Sequence, residues 1–195
     1  MEPDILKQIE DYAKKNNIPI MQKRGINFLC KYIKEHNVKN ILEIGTAIGY
    51  SAIKMALVDE DIRVTSIERD ETRYLEAIKN IKSLNLDKRI TLMLGDALNT
   101  NVNEKYDLIF IDAAKAQYLN FFNKYSTNLS DKGAIISDNM SFHGLVGTDG
   151  KIESRNVRQL VGKIQRYINF LKENNEYDTI FYEIGDGIAV TVKRR

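Results

Sequence analysis

The stretch LIFIDAAK, residues 108–115, brings four consecutive apolar residues directly to an aspartate, Asp112, and places Lys115 three positions later. A strand that only fills a hydrophobic core needs neither charge, because charged side chains are rarely buried without a partner. This pattern therefore predicts a buried strand whose end carries chemically active groups.

Segments typical of helices and of strands alternate on both sides of this stretch. Apolar residues at helical spacing predict helices over 3–17, 21–36, 51–58, 70–86, 117–130 and 153–174. Short apolar runs predict strands over 38–45, 63–68, 89–96, 105–112 and 133–139, and two more strands around a Gly185–Gly187 turn. Alternating strands and helices imply a parallel sheet that is covered on both faces. We expect an α/β fold: a doubly wound, mostly parallel seven-stranded sheet with an antiparallel strand from the C-terminal hairpin.

Length and composition limit the class of protein further. The chain has 195 residues, which suits one domain over 1–195 with a sizeable core. Hydrophobic residues make up 43% and charged residues 29%, which excludes a disordered chain. No apolar run approaches the roughly 20 residues that span a bilayer, so we expect no membrane partner. The one cysteine, Cys30, excludes an intrachain disulfide and favours a reducing, cytoplasmic location. The net charge of +2 gives no global argument for nucleic acid.

Acidic side chains recur where the predicted strands end. In doubly wound folds the ligand binds outside the carboxyl ends of the strands, so these positions are the first candidates for a site. The residues at these ends are Glu43 to Gly45, Glu68, Asp96, Asp112, and Asp138 with Asn139. An acid at a single strand end is commonly a helix cap or turn residue, but five at one edge predict a functional site.

The first of these strand ends, EIGTAIGYS over residues 43–51, indicates the kind of ligand. Gly45 and Gly49 allow a tight turn and a close approach of the backbone, but the stretch does not fit the dinucleotide fingerprint G-x-G-x-x-G. Glu68 follows about 20 residues later, the distance at which an acid accepts the ribose hydroxyls in nucleotide-binding folds. An adenosine without phosphates fits this pattern better than NAD, which disfavours an oxidoreductase.

Five motifs together carry a resemblance to a known family. LEIGTAIGYS, SIERD, GDA, FIDAAK and SDN occur in the order and at the spacings of class I S-adenosylmethionine-dependent methyltransferases. Over about residues 18–195 the chain resembles the metal-dependent O-methyltransferases related to catechol and caffeoyl-CoA O-methyltransferase. The D-x-x-K and D-N elements are those of the metal-dependent branch. The resemblance implies a Rossmann-like methyltransferase fold, S-adenosylmethionine as cofactor, a divalent metal and a homodimer.

The resemblance also implies a role for individual residues. The cofactor would be held by Met21, Glu43, Gly45, Ser51, Glu68, Asp96, Ala97 and Asp112. The metal would be held by Asp112, Asp138 and Asn139. Catalysis would fall to Asp112 and to Lys115, the base near the accepting hydroxyl. The N-terminal helices within 1–36 would cover the cofactor and substrate side.

The chemistry of these residue types agrees with the implied roles. Two carboxylates and an amide oxygen form a hard, oxygen-only site suited to Mg²⁺, Mn²⁺ or Ca²⁺. Three protein ligands leave coordination positions for a substrate with two adjacent oxygens, and a metal favours the deprotonated hydroxyl. Lys115 follows Asp112 by one helical turn, so both side chains can reach one point. An exposed helix lysine is the alternative interpretation of Lys115.

The substrate is predicted from a closer resemblance within the family. FIDAAKAQYLNFF (110–122) and GDGIAVTVKRR (185–195) are similar to segments of the bacterial tRNA 5-hydroxyuridine methyltransferases. The implied partner is a tRNA anticodon loop, whose single-stranded wobble base can be splayed into a pocket and converted to 5-methoxyuridine. The alternatives are a small-molecule catechol or phenol O-methyltransferase and a non-catalytic module that binds S-adenosylmethionine.

Three further residues are candidates for contact with this substrate. His143 follows the D-N element on a loop, and Arg155 and Arg158 begin the helix after it. Arginines three residues apart share one helix face and can contact phosphates. The alternatives are an ordinary turn histidine and a solvated helix face.

Overall fold

The structure is a computed structural model that describes residues 2–141, 144–146 and 154–194. Within these ranges the helices are α1 (Glu2–Lys15), α2 (Lys23–Glu35), α3 (Tyr50–Ala56), α4 (Glu71–Ser83), α5 (Tyr118–Tyr125) and α6 (Arg155–Glu173). The strands are β1 (Asn40–Ile44), β2 (Arg63–Glu68), β3 (Ile90–Leu94), β4 (Tyr106–Ile111), β5 (Leu129–Ser137), β6 (Tyr177–Tyr182) and β7 (Ile188–Lys193). No helix among the described residues is both long and apolar enough to cross a membrane.

The seven strands form one sheet in the order β3-β2-β1-β4-β5-β7-β6. Strands β1 to β5 pair in parallel, and β7 pairs antiparallel with both β5 and β6. The predicted fold class is confirmed, including the single antiparallel strand. The chain reverses its direction of winding between β1 and β4, and such a switch point opens a crevice at the carboxyl ends of the strands.

The apolar run of β4 is buried on both faces of the sheet. Leu108 and Phe110 belong to the hydrophobic cluster formed with α1, α2, α3 and α4, whereas Ile109 and Ile111 belong to the cluster formed with α5 and α6. All four side chains are fully buried. Burial of each contributes about 1.5–3 kcal/mol, so β4 is anchored firmly up to the point where Asp112 begins.

The segment after β4 departs from the prediction of one helix over 117–130. A 3-10 turn at Lys115–Gln117 precedes α5, α5 ends at Tyr125, and β5 already begins at Leu129. The Asn128 side-chain amide donates hydrogen bonds to the carbonyls of Val102 (3.0 Å) and Glu104 (2.9 Å). These bonds hold the chain beside the start of β4, so that tertiary contacts end the helix earlier than its periodicity indicates.

Candidate functional site

The carboxyl ends of the parallel strands meet at one edge of the sheet. The backbone N–H of Asp112 donates to the carbonyl of Ile44 at 3.0 Å, and that of Asp138 donates to Ile111 at 3.2 Å. Gly45 in turn donates to Ile67 at 3.0 Å. These bonds extend the parallel pairing of the strands by one residue. They place the predicted site residues side by side at the ends of neighbouring strands.

A cavity of about 430 Å³ opens at this edge. Of the predicted site residues, those that line it are Met21, Gly45, Ser51, Glu68, Asp96, Ala97, Asp112, Lys115, Asp138 and Asn139. Met21 lies in the segment between α1 and α2, so the N-terminal region forms part of the wall. The structure thus brings the predicted cofactor, metal and base residues together around one space.

Gly45 joins the two halves of this wall. Its φ is +101°, a left-handed conformation, and a Cβ added there would overlap the backbone carbonyl of Asp112. Only glycine combines this conformation with so close an approach. The end of β1 therefore contacts the end of β4 directly.

Glu68 is held rigidly at the end of β2. Its carboxylate accepts hydrogen bonds from the backbone N–H groups of Ala47 (2.7 Å), Arg69 (2.9 Å) and Asp70 (2.9 Å). Ala47 has φ +47°, which turns its N–H toward the carboxylate. An anchored carboxylate on the cavity wall can accept further bonds from vicinal hydroxyls, so the geometry fits the predicted contact with ribose.

The end of β3 forms the next part of the wall. Asp96 accepts a hydrogen bond from the N–H of Leu98 at 2.8 Å, and the carbonyl of Ala97 accepts one from the Tyr125 hydroxyl at 2.6 Å. Both bonds fix the turn that follows Gly95. This turn borders the cavity beside Glu68, which is the position predicted for the adenine.

Glu43 is the one predicted cofactor residue that does not line the cavity. It is fully buried, and its carboxylate accepts hydrogen bonds from the hydroxyls of Ser51 and Ser66. Burial raises the pKa of Glu43 to about 7, although the two serine bonds oppose the shift. Side chains alternate along a strand, and position 43 faces the interior layer under α3. The expected direct contact with the cofactor is therefore corrected: Glu43 orients Ser51, which does reach the cavity.

Asp112 and Asp138 form a pair of acids in poorly solvated surroundings. Burial raises the pKa of Asp112, and the nearby Lys115 ammonium opposes this shift. Burial and then the Asp112 carboxylate raise the pKa of Asp138 to about 7, against a hydrogen bond from the Asn139 backbone and the charge of Lys115. Two carboxylates that each disfavour the other's charge are stabilised by a cation placed between them.

Asn139 adds an amide to this pair. It has φ +63°, a conformation that asparagine tolerates better than most residues, and it lines the same cavity. Two carboxylates with one amide oxygen fit a hard divalent cation. The described residues contain no cluster of three or more His, Cys, Asp or Glu side chains that could hold a metal, so a metal here depends on the amide as third protein ligand.

Lys115 lies at the start of the 3-10 turn between β4 and α5 and lines the cavity. Its ammonium forms no hydrogen bond or ion pair within the described ranges. A lysine held near two acids with no fixed partner is free to move a proton at the reacting atom. Its place agrees with the predicted base.

Two of the three predicted substrate residues lie away from the cavity. Arg155 and Arg158 are exposed on the first turns of α6 and do not line the cavity. Ser154 caps the N-terminus of this helix: its hydroxyl accepts a hydrogen bond from the N–H of Val157 at 3.4 Å. His143 falls outside the described residues.

Sequence reasoning missed Asp186, although the Gly185–Gly187 turn was recognised. Asp186 is buried and lines the cavity. Its carbonyl accepts a hydrogen bond from the N–H of Ser141 at 2.8 Å, and the Gly187 carbonyl accepts one from Met140 at 3.0 Å. The hairpin turn therefore supports the loop that carries Asp138. The sequence shows Asp186 as an acid between two glycines, but its position at the site depends on how β7 pairs with β5.

Comparison with known proteins agrees with this fold. A family model described as O-methyltransferase matches residues 1–194. A catechol O-methyltransferase of Niastella koreensis is 34% identical over 168 residues, which cover 79% of this chain and 73% of that protein. A solved structure from Staphylococcus aureus, provisionally named a caffeoyl-CoA O-methyltransferase, has a TM-score of 0.93 at 42% identity, covering 97% of this chain and 92% of that one.

A third relative carries a cofactor product. The O-methyltransferase of Bacillus cereus, solved in complex with S-adenosylhomocysteine, has a TM-score of 0.84 at 25% identity and covers 98% of this chain and 91% of its own. The fold and the cavity define a class I methyltransferase. The chain belongs to the O-methyltransferase family that includes the caffeoyl-CoA and catechol enzymes, and it is an S-adenosylmethionine-dependent O-methyltransferase.

Proposed function

We propose that this enzyme depends on a divalent metal and methylates the hydroxyl of 5-hydroxyuridine at the wobble position of tRNA. The observation that carries the metal dependence is that Asp112, Lys115, Asp138 and Asn139 line the same cavity as the anchored carboxylate of Glu68, which ends β2, two strands from β4. A base, a cation site and a cofactor site within one cavity are the parts that an O-methyl transfer needs.

The charge of the cavity wall supports this proposal. Five carboxylates line the cavity, from Glu68, Asp96, Asp112, Asp138 and Asp186, against three basic side chains, from Arg69, Arg73 and Lys115. Such a wall favours ligands that bring positive charge. A sulfonium cofactor and a divalent cation both do so, whereas a dinucleotide with its pyrophosphate does not.

Each residue then has a defined task. Glu68 accepts the ribose hydroxyls and so fixes the direction in which the cofactor lies. Asp112, Asp138 and Asn139 hold the cation, which when bound favours the ionised form of an acceptor hydroxyl. Lys115 takes the hydroxyl proton at Nζ. The bound cofactor would supply the methyl group from its sulfonium sulfur, leaving a thioether, and holding both reactants in line would supply up to roughly 7–11 kcal/mol of the acceleration.

The assignment of tRNA rests on three features. 5-Hydroxyuridine carries its hydroxyl beside the C4 carbonyl, which gives the adjacent oxygen pair that a cation site of this kind selects. Ala113 and Ala114 line the cavity next to Asp112, and their small side chains leave room for the nucleobase of the substrate. The segments 110–122 and 185–195 resemble those of the tRNA 5-hydroxyuridine enzymes.

A small catechol is the second candidate acceptor. It presents the same pair of oxygens, and the Niastella koreensis relative is named for it. One assay separates the two: transfer of radiolabelled methyl groups to tRNA that lacks the 5-methoxy group, and in parallel to a panel of catechols. We expect incorporation into tRNA. Methylation of catechols with none of tRNA would overturn the acceptor and leave the metal-dependent chemistry in place.

A further inference from the structure

The buried hydroxyl of Tyr118 lacks the hydrogen-bond partner that a buried polar group normally has. Tyr118 is the first residue of α5 and is 1% exposed, and its Oη atom has no hydrogen-bond partner within the part of the chain that the structure describes. Buried polar groups in folded proteins almost always have a partner, because leaving one unpaired is costly. The other fully buried tyrosines have partners: Tyr125 donates to the carbonyls of Ala97 and Thr100, and Tyr167 bonds Ser137.

Tyr118 is linked through Tyr167 to the strand end that carries Asp138. Its ring packs edge-on against the ring of Tyr167, with centroids 5.6 Å apart. The Tyr167 hydroxyl is 2.8 Å from the Ser137 hydroxyl, and Ser137 immediately precedes Asp138. Tyr118 also follows Lys115 by three residues, so its backbone continues the turn that carries the base. The aromatic pair thus supports the ends of both β4 and β5.

The electrostatic surroundings make this hydroxyl a hydrogen-bond donor. Burial raises the pKa of Tyr118 well above its usual value, and the carboxylates of Asp112 and Asp138, then Tyr167 and Asp186, raise it further. The phenol therefore holds its proton more tightly than an ordinary tyrosine does. A buried, protonated hydroxyl without a partner among the described residues retains a proton that it can donate to an oxygen acceptor.

We infer that Tyr118 is a positioning residue of the cation site, and that its hydroxyl donates a hydrogen bond to an oxygen of that site when a divalent cation is bound. The inference rests on the proposed metal dependence. Groups that hydrogen-bond to metal ligands fix the orientation of those ligands, and their removal typically weakens metal binding by about 10–100-fold. The phenol performs this task without adding charge to a wall that already carries excess carboxylates.

The test is a titration of the cofactor-free protein with Mn²⁺, followed by the electron paramagnetic resonance signal of the free ion. Three proteins are compared: the parent, Tyr118→Phe and Tyr125→Phe. Tyr125 is the matched control, because it lies on the same helix, is equally buried, and donates its hydroxyl proton to backbone carbonyls. Thermal unfolding of all three is measured with and without Mn²⁺.

We expect Tyr118→Phe to raise the Mn²⁺ dissociation constant by about 10–100-fold while its melting temperature without metal stays at or above that of the parent. Tyr125→Phe should show the reverse: a lower melting temperature and unchanged Mn²⁺ affinity. Mn²⁺ affinity of Tyr118→Phe within twofold of the parent, with a raised melting temperature, would overturn the inference and leave the metal site standing. A parent that binds no Mn²⁺ would overturn the metal dependence itself.

Discussion

Gly45 lies against the backbone carbonyl of Asp112, with φ +101° and no space for a Cβ atom between them. This contact joins the end of β1 to the end of β4, where Asp112 would help to hold the proposed cation. The relative position of these two strand ends is therefore set by backbone packing, and side-chain adjustments cannot alter it readily.

Gly45→Ala should weaken both the fold and cofactor binding. The substitution forces a side chain into a left-handed conformation and into the Asp112 carbonyl, a strain of at least about 1–3 kcal/mol. Calorimetric titration with S-adenosylmethionine and thermal unfolding measure the two effects. The matched control is Gly162→Ala in α6, where a Cβ meets nothing within 4 Å and helix propensity predicts a small gain in stability. Parent-like cofactor affinity in Gly45→Ala would contradict the close contact.

Removal of the cation should abolish turnover. We expect EDTA to stop methyl transfer and Mg²⁺ or Mn²⁺ to restore it. Asp138→Ala should lose metal affinity and retain cofactor affinity, because Glu68 and Ser51 lie at other strand ends. Asp131→Ala, at a fully exposed acid on β5, serves as the control and should behave like the parent. Full activity in chelator would exclude the metal role.

Lys115→Ala should lower kcat by about 10²–10⁴, the usual contribution of general acid–base catalysis. Cofactor affinity should change little, because Ser51, Glu68 and Asp96 lie at other strand ends of the cavity. Lys132→Ala removes an exposed lysine of β5 and controls for the loss of charge. If Lys115→Ala keeps its turnover at every pH tested, the cation alone activates the hydroxyl.

Glu43→Gln should change how stability depends on pH. The pKa of Glu43 lies near 7 in the folded protein against 4.5 in the unfolded chain, so the folded state binds the proton more tightly. The free energy of unfolding therefore falls as pH rises between these values, by at most about 1.4 kcal/mol per pH unit for this group. The glutamine amide does not titrate, so the variant should lose this part of the slope. Denaturant unfolding at pH 5, 6 and 7 measures the difference, and parallel slopes would contradict the assignment.

Arg155→Ala combined with Arg158→Ala should raise the KM for tRNA and flatten its dependence on salt. Exposed arginines that contact phosphates release counterions on binding, so each lost contact lowers the salt slope by about one. Cofactor affinity should remain intact, because neither residue lines the cavity. The control removes two exposed charges from α4, Lys79→Ala with Lys82→Ala. A double arginine variant that methylates tRNA like the parent would remove the start of α6 from the RNA site.

Local patterns in the sequence were sufficient for most of the architecture. The apolar run of β4, bounded by charge on both sides, marks a strand that is buried on both faces, and the alternation with helices makes the sheet parallel. Parallel strands bring their carboxyl ends to one edge. From this rule Glu68, Asp112 and Asp138 were expected to meet, and Lys115 was expected beside them because it follows Asp112 by one turn; all four line one cavity.

The remaining features depended on contacts between residues far apart in the chain. Glu43 and Glu68 both lie at strand ends, yet Glu43 is buried beneath Ser51 whereas Glu68 faces the cavity. The position of each residue along its strand and the packing of α3 together decide which of the two acids reaches solvent. Asp186 joins the site only because β7 pairs with β5. The hydrophobic periodicity of the sequence predicts the helices and strands, because it reflects which face of each is buried. The neighbours of a buried side chain are instead set by packing between helices and strands, which local sequence does not specify.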